Sequence, residues 1–392
     1  MPNMNATRYA GVTDGYPTPP NADDIILQID PEVIAAMDIR TPLFDMAGGF
    51  SFQYRAGKFF WLKGDPFRRR LTSHGGFADT TATALTITAQ AQHFPVGTVF
   101  EFENELVRVI AIVDANTVTV VRGYAGTTAA AHASTVIGEV AGGTMSETDN
   151  WVYRPTSTIT RPFNYSQMRH IALRESWRAH DSQMYGVDGP SKLDTDASNS
   201  LRQVMIEVEQ SLVRGIRYAG AGPTTPPMAG GMEYYITAAN GAKVVDLAGG
   251  ALTERSIMQA IEDRVRLVGE ENVARVIIVD FWGKQKISSF YAGSRRMTND
   301  ERVGGSIIDT LVTEWGDFKF VMSSAVRPGF MYGANMGNIS LGTFGSTGIP
   351  HLGEVPSSHD GPFNGRYVYA DYSFKFKDIE SMWSVQNYSI TT

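Results

Sequence analysis

Lys58-Phe-Phe-Trp-Leu-Lys63 and Ile159-Thr-Arg-Pro-Phe-Asn-Tyr165 are two extended, aromatic-rich stretches separated by a long run of unlike sequence. The first continues into Arg68-Arg69-Arg70, and the second is preceded by Trp151-Val-Tyr-Arg-Pro155. Between them, from His74 to Asp149, short β-branched runs are punctuated by Gly, Asn and Pro. β-Branched and aromatic residues suit a pleated, half-buried surface, and the punctuation marks turns. The reading that decides the fold is therefore an extended hairpin whose tip carries a small, self-contained β module. Such an arm suits a chain that reaches for neighbours and suits a compact catalyst poorly.

Within the module, Ala84 to Thr88, Val99 to Glu103, Leu106 to Val113 and Thr117 to Val121 read as short strands, with Asn104-Glu105 as a hairpin turn. Four or five such strands predict a small barrel or sandwich. Before the hairpin, residues 1–24 form an extended, Pro- and Asp-rich arm, and Asp30-Pro31 fits a helix start. After it, Leu201, Met205, Val208, Leu212 and Ile216 form one apolar stripe on a long helix. Arg202, Gln203, Glu207, Glu209 and Gln210 take its other faces, and Gly220-Ala-Gly-Pro223 ends it. Met232 to Ile236 reads as a strand, Leu252 to Val268 as a helix capped by Thr253, and Ala274 to Asp280 as a buried strand. Phe281 to Tyr291 is helical. Ser306 to Thr313, Phe318 to Ser323, Met331-Tyr332 and Ile339 to Thr343 are β-like. Gly345 to Gly365 is a loop, and Arg366 to Lys377 and Met382 to Ile390 are the last strands.

The 392 residues allow two or three domains with ample core, and a charged share of 19% is lower than usual for a globular chain. Few charges with 16 Tyr and 20 Phe suit a surface covered by partners. No apolar run approaches the length of a membrane span, so no membrane association is expected. The first residues lack a signal-peptide pattern, and the absence of Cys removes disulfides and thiolate chemistry. Charge is unevenly placed: residues 1–50 carry net −5, 51–73 net +5, and 74–150 net −6. Read singly, each of these is an ordinary solvated side chain. As blocks of opposite sign they suggest complementary docking surfaces.

No enzymatic constellation emerges. The seven His lack metal-ligand spacing; His351, Glu354, His359 and Asp360 share a loop but read best as solvated. Phosphate-cradling glycine patterns and a nucleophile elbow are absent. Glu262-Asp263 and Asp23-Asp24 are adjacent, which places each pair on different faces. Arg68-Arg69-Arg70 is an isolated basic cluster and a poor basis for sequence-specific DNA binding. No catalytic residue, cofactor or metal is expected.

In its order of elements the chain resembles the major capsid proteins of tailed bacteriophages, which share the HK97-type fold. Three motifs carry the likeness: Arg161-Pro-Phe-Asn-Tyr-Ser-Gln-Met168 leading to the helix ending Glu207 to Gly215, Met228 to Ile236, and Arg122-Gly-Tyr-Ala-Gly-Thr-Thr-Ala-Ala-Ala-His132. The resemblance implies an α+β fold with an N-terminal arm at 1–50 and E-loop stems at 51–73 and 151–170. It implies a β insertion domain at 74–150, a peripheral domain at 171–222 and 366–392 with the long spine helix, and an axial domain at 223–365. It further implies self-assembly into hexamers and pentamers of a head enclosing double-stranded DNA, held by non-specific contact. Portal and a separate scaffolding protein are implied partners, a decoration protein is a further one, and the place of action is the virion, after assembly in the host cytoplasm. Lys58, Phe60, Trp61, Lys63, Arg68, Arg69, Arg70, Trp151, Tyr153 and Arg154 on the stems are then the expected inter-subunit contacts. Some members cross-link Lys to Asn; Lys58 and Lys63 have no evident Asn and acid partners, so non-covalent assembly is expected. An encapsulin-like compartment and a tail-associated adhesin are the competing readings.

Overall fold

The computed structural model describes residues 41–64, 70–71, 74–87, 91–147, 159–177, 192–222, 224–290, 310–355 and 363–390. The expected helix at Asp30-Pro31, together with Ser306 to Asp309, lies outside them. Five helices are described: α1 Pro42–Met46, α2 Lys192–Arg214, α3 Met232–Tyr235, α4 Glu254–Val268 and α5 Phe281–Phe290. The strands run β1 Phe50–Tyr54, β2 Lys58–Phe60, β3 Lys63–Gly64, β4 Ala84–Thr86, β5 Thr98–Phe102, β6 Glu105–Ile112, β7 Thr117–Val121, β8 Gly138–Gly143, β9 Ile159–Thr160 and β10 Phe163–Tyr165. They continue as β11 Gln167–Ser176, β12 Lys243–Asp246, β13 Val276–Val279, β14 Thr310–Thr313, β15 Gly316–Met322, β16 Met331–Ala334, β17 Ile339–Phe344, β18 His351–Val355, β19 Phe363–Phe376 and β20 Trp383–Gln386.

The chain divides into two compact units. One takes in His170–Gln203 and His351–Val368. Within it the Arg366 guanidinium bonds Asp194 at 2.9 Å and also meets Glu354, while Arg174 lies 5.3 Å over the Phe363 ring.

The other unit takes in Arg40–Arg169, Val204–Pro350 and Tyr369–Thr392. Its largest sheet has strand order β12-β20-β16-β13-β15-β14. The buried Val-Ile-Ile-Val run of β13 sits in the middle, parallel to β15 and antiparallel to β16, as a central strand shielded on both faces requires. α4 packs Ile257, Ala260 and Ile261 into the same core as Ile277, Val279, Phe318 and Trp383. A capping box starts α4: the Ser256 N–H donates to Thr253 Oγ1 and the Thr253 N–H to Ser256 Oγ, both at 3.3 Å. Gly333 faces Trp383 across the β16–β20 pair, and a Cβ there would run into the indole ring. A second sheet of five antiparallel strands, β4-β7-β6-β5-β8, has its own core of Phe94, Phe100, Phe102, Val107, Val109, Val118 and Val120.

Several elements differ from the sequence expectation. α2 ends at Arg214, not at Gly220 to Pro223, because Gly215 and Gly231 approach each other too closely for side chains; the Gly231 N–H donates to Gly215 O at 2.8 Å. Its buried stripe is Val204, Val208 and Leu212 with Glu209, whereas Ile216 lies beyond the helix and is exposed. Met232 to Tyr235 is a helical turn, since Met232 and Tyr235 share one face at i and i+3 as readily as alternate residues share one face of a strand. The supposed loop from Gly345 to Gly365 contains β18 and the start of β19. Strands β8, β11 and β12 were not anticipated; β8 is Gly-rich and carries few strand-forming side chains. In the β5–β6 hairpin the turn is Glu103-Asn104, and Glu105 belongs to the strand as Phe102's partner.

Candidate assembly surface

The two opening stretches pair with each other. β2 and β10 are antiparallel with Phe60 opposite Phe163, Phe59 opposite Asn164 and Lys58 opposite Tyr165. β3 and β9 extend the ribbon, with Lys63 opposite Thr160. Alternation along a strand sends successive side chains to opposite faces, so this register sorts the residues into two sets.

The inward set forms an aromatic rail. Phe59 stacks on Tyr54 at 5.1 Å and meets Trp61 at 5.7 Å; Trp61 approaches Tyr235 at 6.2 Å, and Tyr235 approaches Phe376 at 4.8 Å. Asn164 is wholly buried in this layer. Its Nδ2 donates to Gly230 O at 3.0 Å and Phe374 O at 2.8 Å, and its Oδ1 accepts from the Gly230 N–H at 2.8 Å. Ser373 Oγ donates to Tyr165 O at 2.6 Å, and the Tyr54 hydroxyl donates to Asp371 at 3.0 Å. Burial pushes the Tyr54 phenol pKa well up despite its hydrogen bond to Ser166, so it remains a donor.

The hairpin is also held by charge. Lys63 bridges to Glu380 at 3.0 Å, and Arg70 Nη2 donates to the Asp263 carbonyl at 3.1 Å. Beside them Arg264 Nη1 donates to Gly241 O at 2.8 Å and Glu380 O at 3.0 Å. Burial, with the neighbouring Arg70 charge, lowers the Arg264 pKa to about 10.

The outward set is different in kind. Phe60 is 56% and Leu62 68% exposed, large apolar side chains held on the free face of the ribbon. Cations lie beside the aromatic rings of this face: Lys58 Nζ lies 3.9 Å over the Phe163 ring and 5.0 Å over Phe60. Arg217 lies 4.0 Å over Phe163 and 4.9 Å over Tyr234. An exposed apolar patch rimmed by polar groups is the composition of a protein–protein contact, with aromatic and Arg side chains at its centre.

Of the residues expected at contacts, Lys58 and Phe60 therefore lie outward, whereas Trp61, Lys63 and Arg70 are engaged within the subunit. Arg68, Arg69, Trp151, Tyr153 and Arg154 lie outside the described residues. Sequence reading missed Leu62, Arg217, Tyr234 and Asn164. The signal for Asn164 was present, since Asn is depleted in strands and sits mid-strand in Phe163-Asn-Tyr165.

The motif Arg122 to His132 acquires a structural meaning in the five-stranded sheet. It wraps Glu105, which is 1% exposed. Arg122 grips both carboxylate oxygens at 2.7 Å, the N–H groups of Gly123 and Ala130 donate at 2.9 and 3.0 Å, and His132 Nε2 lies at 2.9 Å. Burial alone would raise the Glu105 pKa, but Arg122, the two amides and His132 outweigh it and hold it down at about 2. Gly123 takes φ +59°, and a Cβ there would press on Thr127 O. The Arg122 guanidinium also stacks 3.9 Å over Phe77. Among the described residues no three His, Asp or Glu gather as a metal site, and no helix is long and apolar enough to cross a membrane.

The fold is similar to that of phage capsid subunits. The capsid asymmetric unit of cyanophage A-1(L) aligns over 94% of this chain and 98% of its own at 8% identity, with a TM-score of 0.57. The capsid of a native GTA particle aligns over 94% and 96% at 11% identity with a TM-score of 0.49. The Mycobacterium phage Ogopogo structure aligns over 93% and 97% at 13% identity with a TM-score of 0.48. No curated protein matches the chain. Residues 5–388 match the family described as SU10 major capsid protein, and with a mixed α+β fold of the HK97-like kind the chain belongs to that family of phage capsid subunits, components of the virion that associate with copies of themselves.

Proposed function

We propose that the subunit builds hexamers and pentamers of an icosahedral or prolate head enclosing double-stranded DNA, and that the outward face of the hairpin is one of its inter-subunit contacts. The observation that carries this reading is the exposure of two large apolar side chains, Phe60 and Leu62, on a ribbon whose Phe163 ring is covered by Lys58 and Arg217 and whose other face is pinned. A rigid backing means that little ordering entropy is lost when the outward face docks. Residues 1–50 act as an arm and 51–73 with 151–170 as the E-loop stems. The 74–150 segment acts as an insertion domain at an outer contact between capsomers, 171–222 with 366–392 as the peripheral domain, and 223–365 as the axial domain. The stem residues Arg68, Arg69, Trp151, Tyr153 and Arg154 belong to the same contact surface.

The subunit is a structural protein without an enzymatic role. It assembles in the host cytoplasm with a separate scaffolding protein and a portal, accepts a decoration protein, and meets packaged DNA only through non-specific contact. An acidic chain suits that task, since tight phosphate binding would hinder packing and release. Negative-stain microscopy of the purified chain tests the reading. Closed shells or capsomers are expected, with DNA inside particles recovered from infected cells. Shells that enclose protein cargo instead would favour a storage compartment, and monomers with no higher assembly would overturn the reading.

A further inference from the structure

We propose that Glu209 is the positioning residue for the turn Pro42–Met46: its carboxylate ties the chain at Leu43 to α2 and to the end of β15, and so fixes where this turn sits. The side chain is 4% exposed. One oxygen, Oε2, accepts the Leu43 N–H at 3.2 Å, and the Phe44 N–H also faces the carboxylate. The other, Oε1, accepts the Ser323 hydroxyl at 2.6 Å. Ser323 is in turn built into the six-stranded sheet: its N–H donates to Val279 O at 3.2 Å, and its Oγ accepts the Ala325 N–H at 3.2 Å. A single carboxylate thus bridges three parts of the chain, 166 residues apart on one side and 114 on the other.

The first turn after Thr41 needs this bridge. Thr41 makes no side-chain cap bond, and Pro42 has no N–H, so the Leu43 and Phe44 amides depend on a remote acceptor, while the Asp45 N–H reaches Thr41 O. Leu43 is fully buried and Phe44 meets Phe50 edge-on at 5.1 Å, which seats the turn but satisfies none of its amides. An apolar side chain at position 209 would avoid the cost of burying a carboxylate, and burial does push this pKa up. What the acid supplies is acceptor capacity in two directions, toward α1 and toward the end of β15.

The consequence for assembly rests on the capsid reading above; the anchoring is read on the unassembled chain. Hydrogen exchange with mass spectrometry on the purified full-length protein compares wild type, Glu209→Ala and Glu209→Gln. In Glu209→Ala the peptide covering 41–49 is expected to lose about tenfold in protection, while peptides from β13 and β20 keep theirs. Glu209→Gln restores most of that protection, because a carboxamide oxygen still accepts an N–H. Unchanged exchange at 41–49, equal loss across β13 and β20, or no rescue by Gln would each overturn the proposal. Shell yield under the microscope should fall in Glu209→Ala, and normal shells from a variant with a loosened 41–49 would refute the positioning role. A wild-type chain that forms no shells at all counts instead against the assembly reading.

Discussion

Asn164 shows how one polar side chain decides where an element sits. It has no room for error, since it donates to two buried carbonyls and accepts from a buried amide. Asn164→Ala should cost about 2–4 kcal/mol by orphaning those groups, measured by denaturant unfolding. Asn164→Asp should not rescue, because a carboxylate cannot donate to Gly230 O and Phe374 O. Glu105 is the counterpart in the five-stranded sheet. Arg122→Met leaves its carboxylate buried without its main partner and should destabilise that sheet by about 3–5 kcal/mol at neutral pH. The pH dependence has a definite sign. The folded Glu105 pKa is lowered from 4.5 to about 2, so its contribution is fully present above about pH 4.5 and is lost as pH falls toward 2. Acid unfolding followed by circular dichroism should be flatter in this window for Glu105→Gln than for wild type.

At the scale of elements, the hairpin ribbon divides its labour by face. Substituting both outward residues, Phe60→Ser with Leu62→Ser, should leave subunit stability within about 0.5 kcal/mol, since both side chains already meet solvent. Particle yield should nonetheless fall, and unchanged yield in a sedimentation assay would remove this face from the contact surface. That Lys58 to Lys63 and Ile159 to Tyr165 are both extended and aromatic-rich was legible, and the order of elements implied their pairing. Which residues faced out was not, because a ribbon with apolar side chains on both faces offers no polar side to orient it. Helix α4 was readable for the opposite reason: its apolar stripe and Thr253 cap agree, and local and tertiary preferences coincide. The Met232 to Tyr235 turn was not, since four apolar and aromatic residues fit either period.

Across the whole molecule, blocks of opposite charge should make assembly sensitive to salt. Reversing Arg68, Arg69 and Arg70 together to Glu should lower particle yield and weaken its dependence on ionic strength, measured by light scattering across a salt series. Arg70 contributes to this within the subunit as well, through the Asp263 carbonyl, so the single variants separate the two roles. Denaturing gel electrophoresis of mature particles should show monomer alone. A ladder of multimers would mean covalent joining of neighbours. In this structure Lys58 lies over the rings of Phe163 and Phe60, and Lys63 bridges to Glu380.

By itself the sequence determined the extended, aromatic character of the two hairpin stretches, the β character of the segment between them, the long helix and the capped helix α4. Each is written in residues close together in the chain, where periodicity and turn chemistry act. The tertiary structure alone decided that Trp61 and Lys63 turn inward while Phe60 and Leu62 face out. It also decided that α2 stops at Gly215 against Gly231, and that Glu209, polar by type, is buried to hold Leu43 and Ser323. These depend on which distant backbone groups need a donor, an acceptor or empty space, and no local pattern encodes a partner more than a hundred residues away.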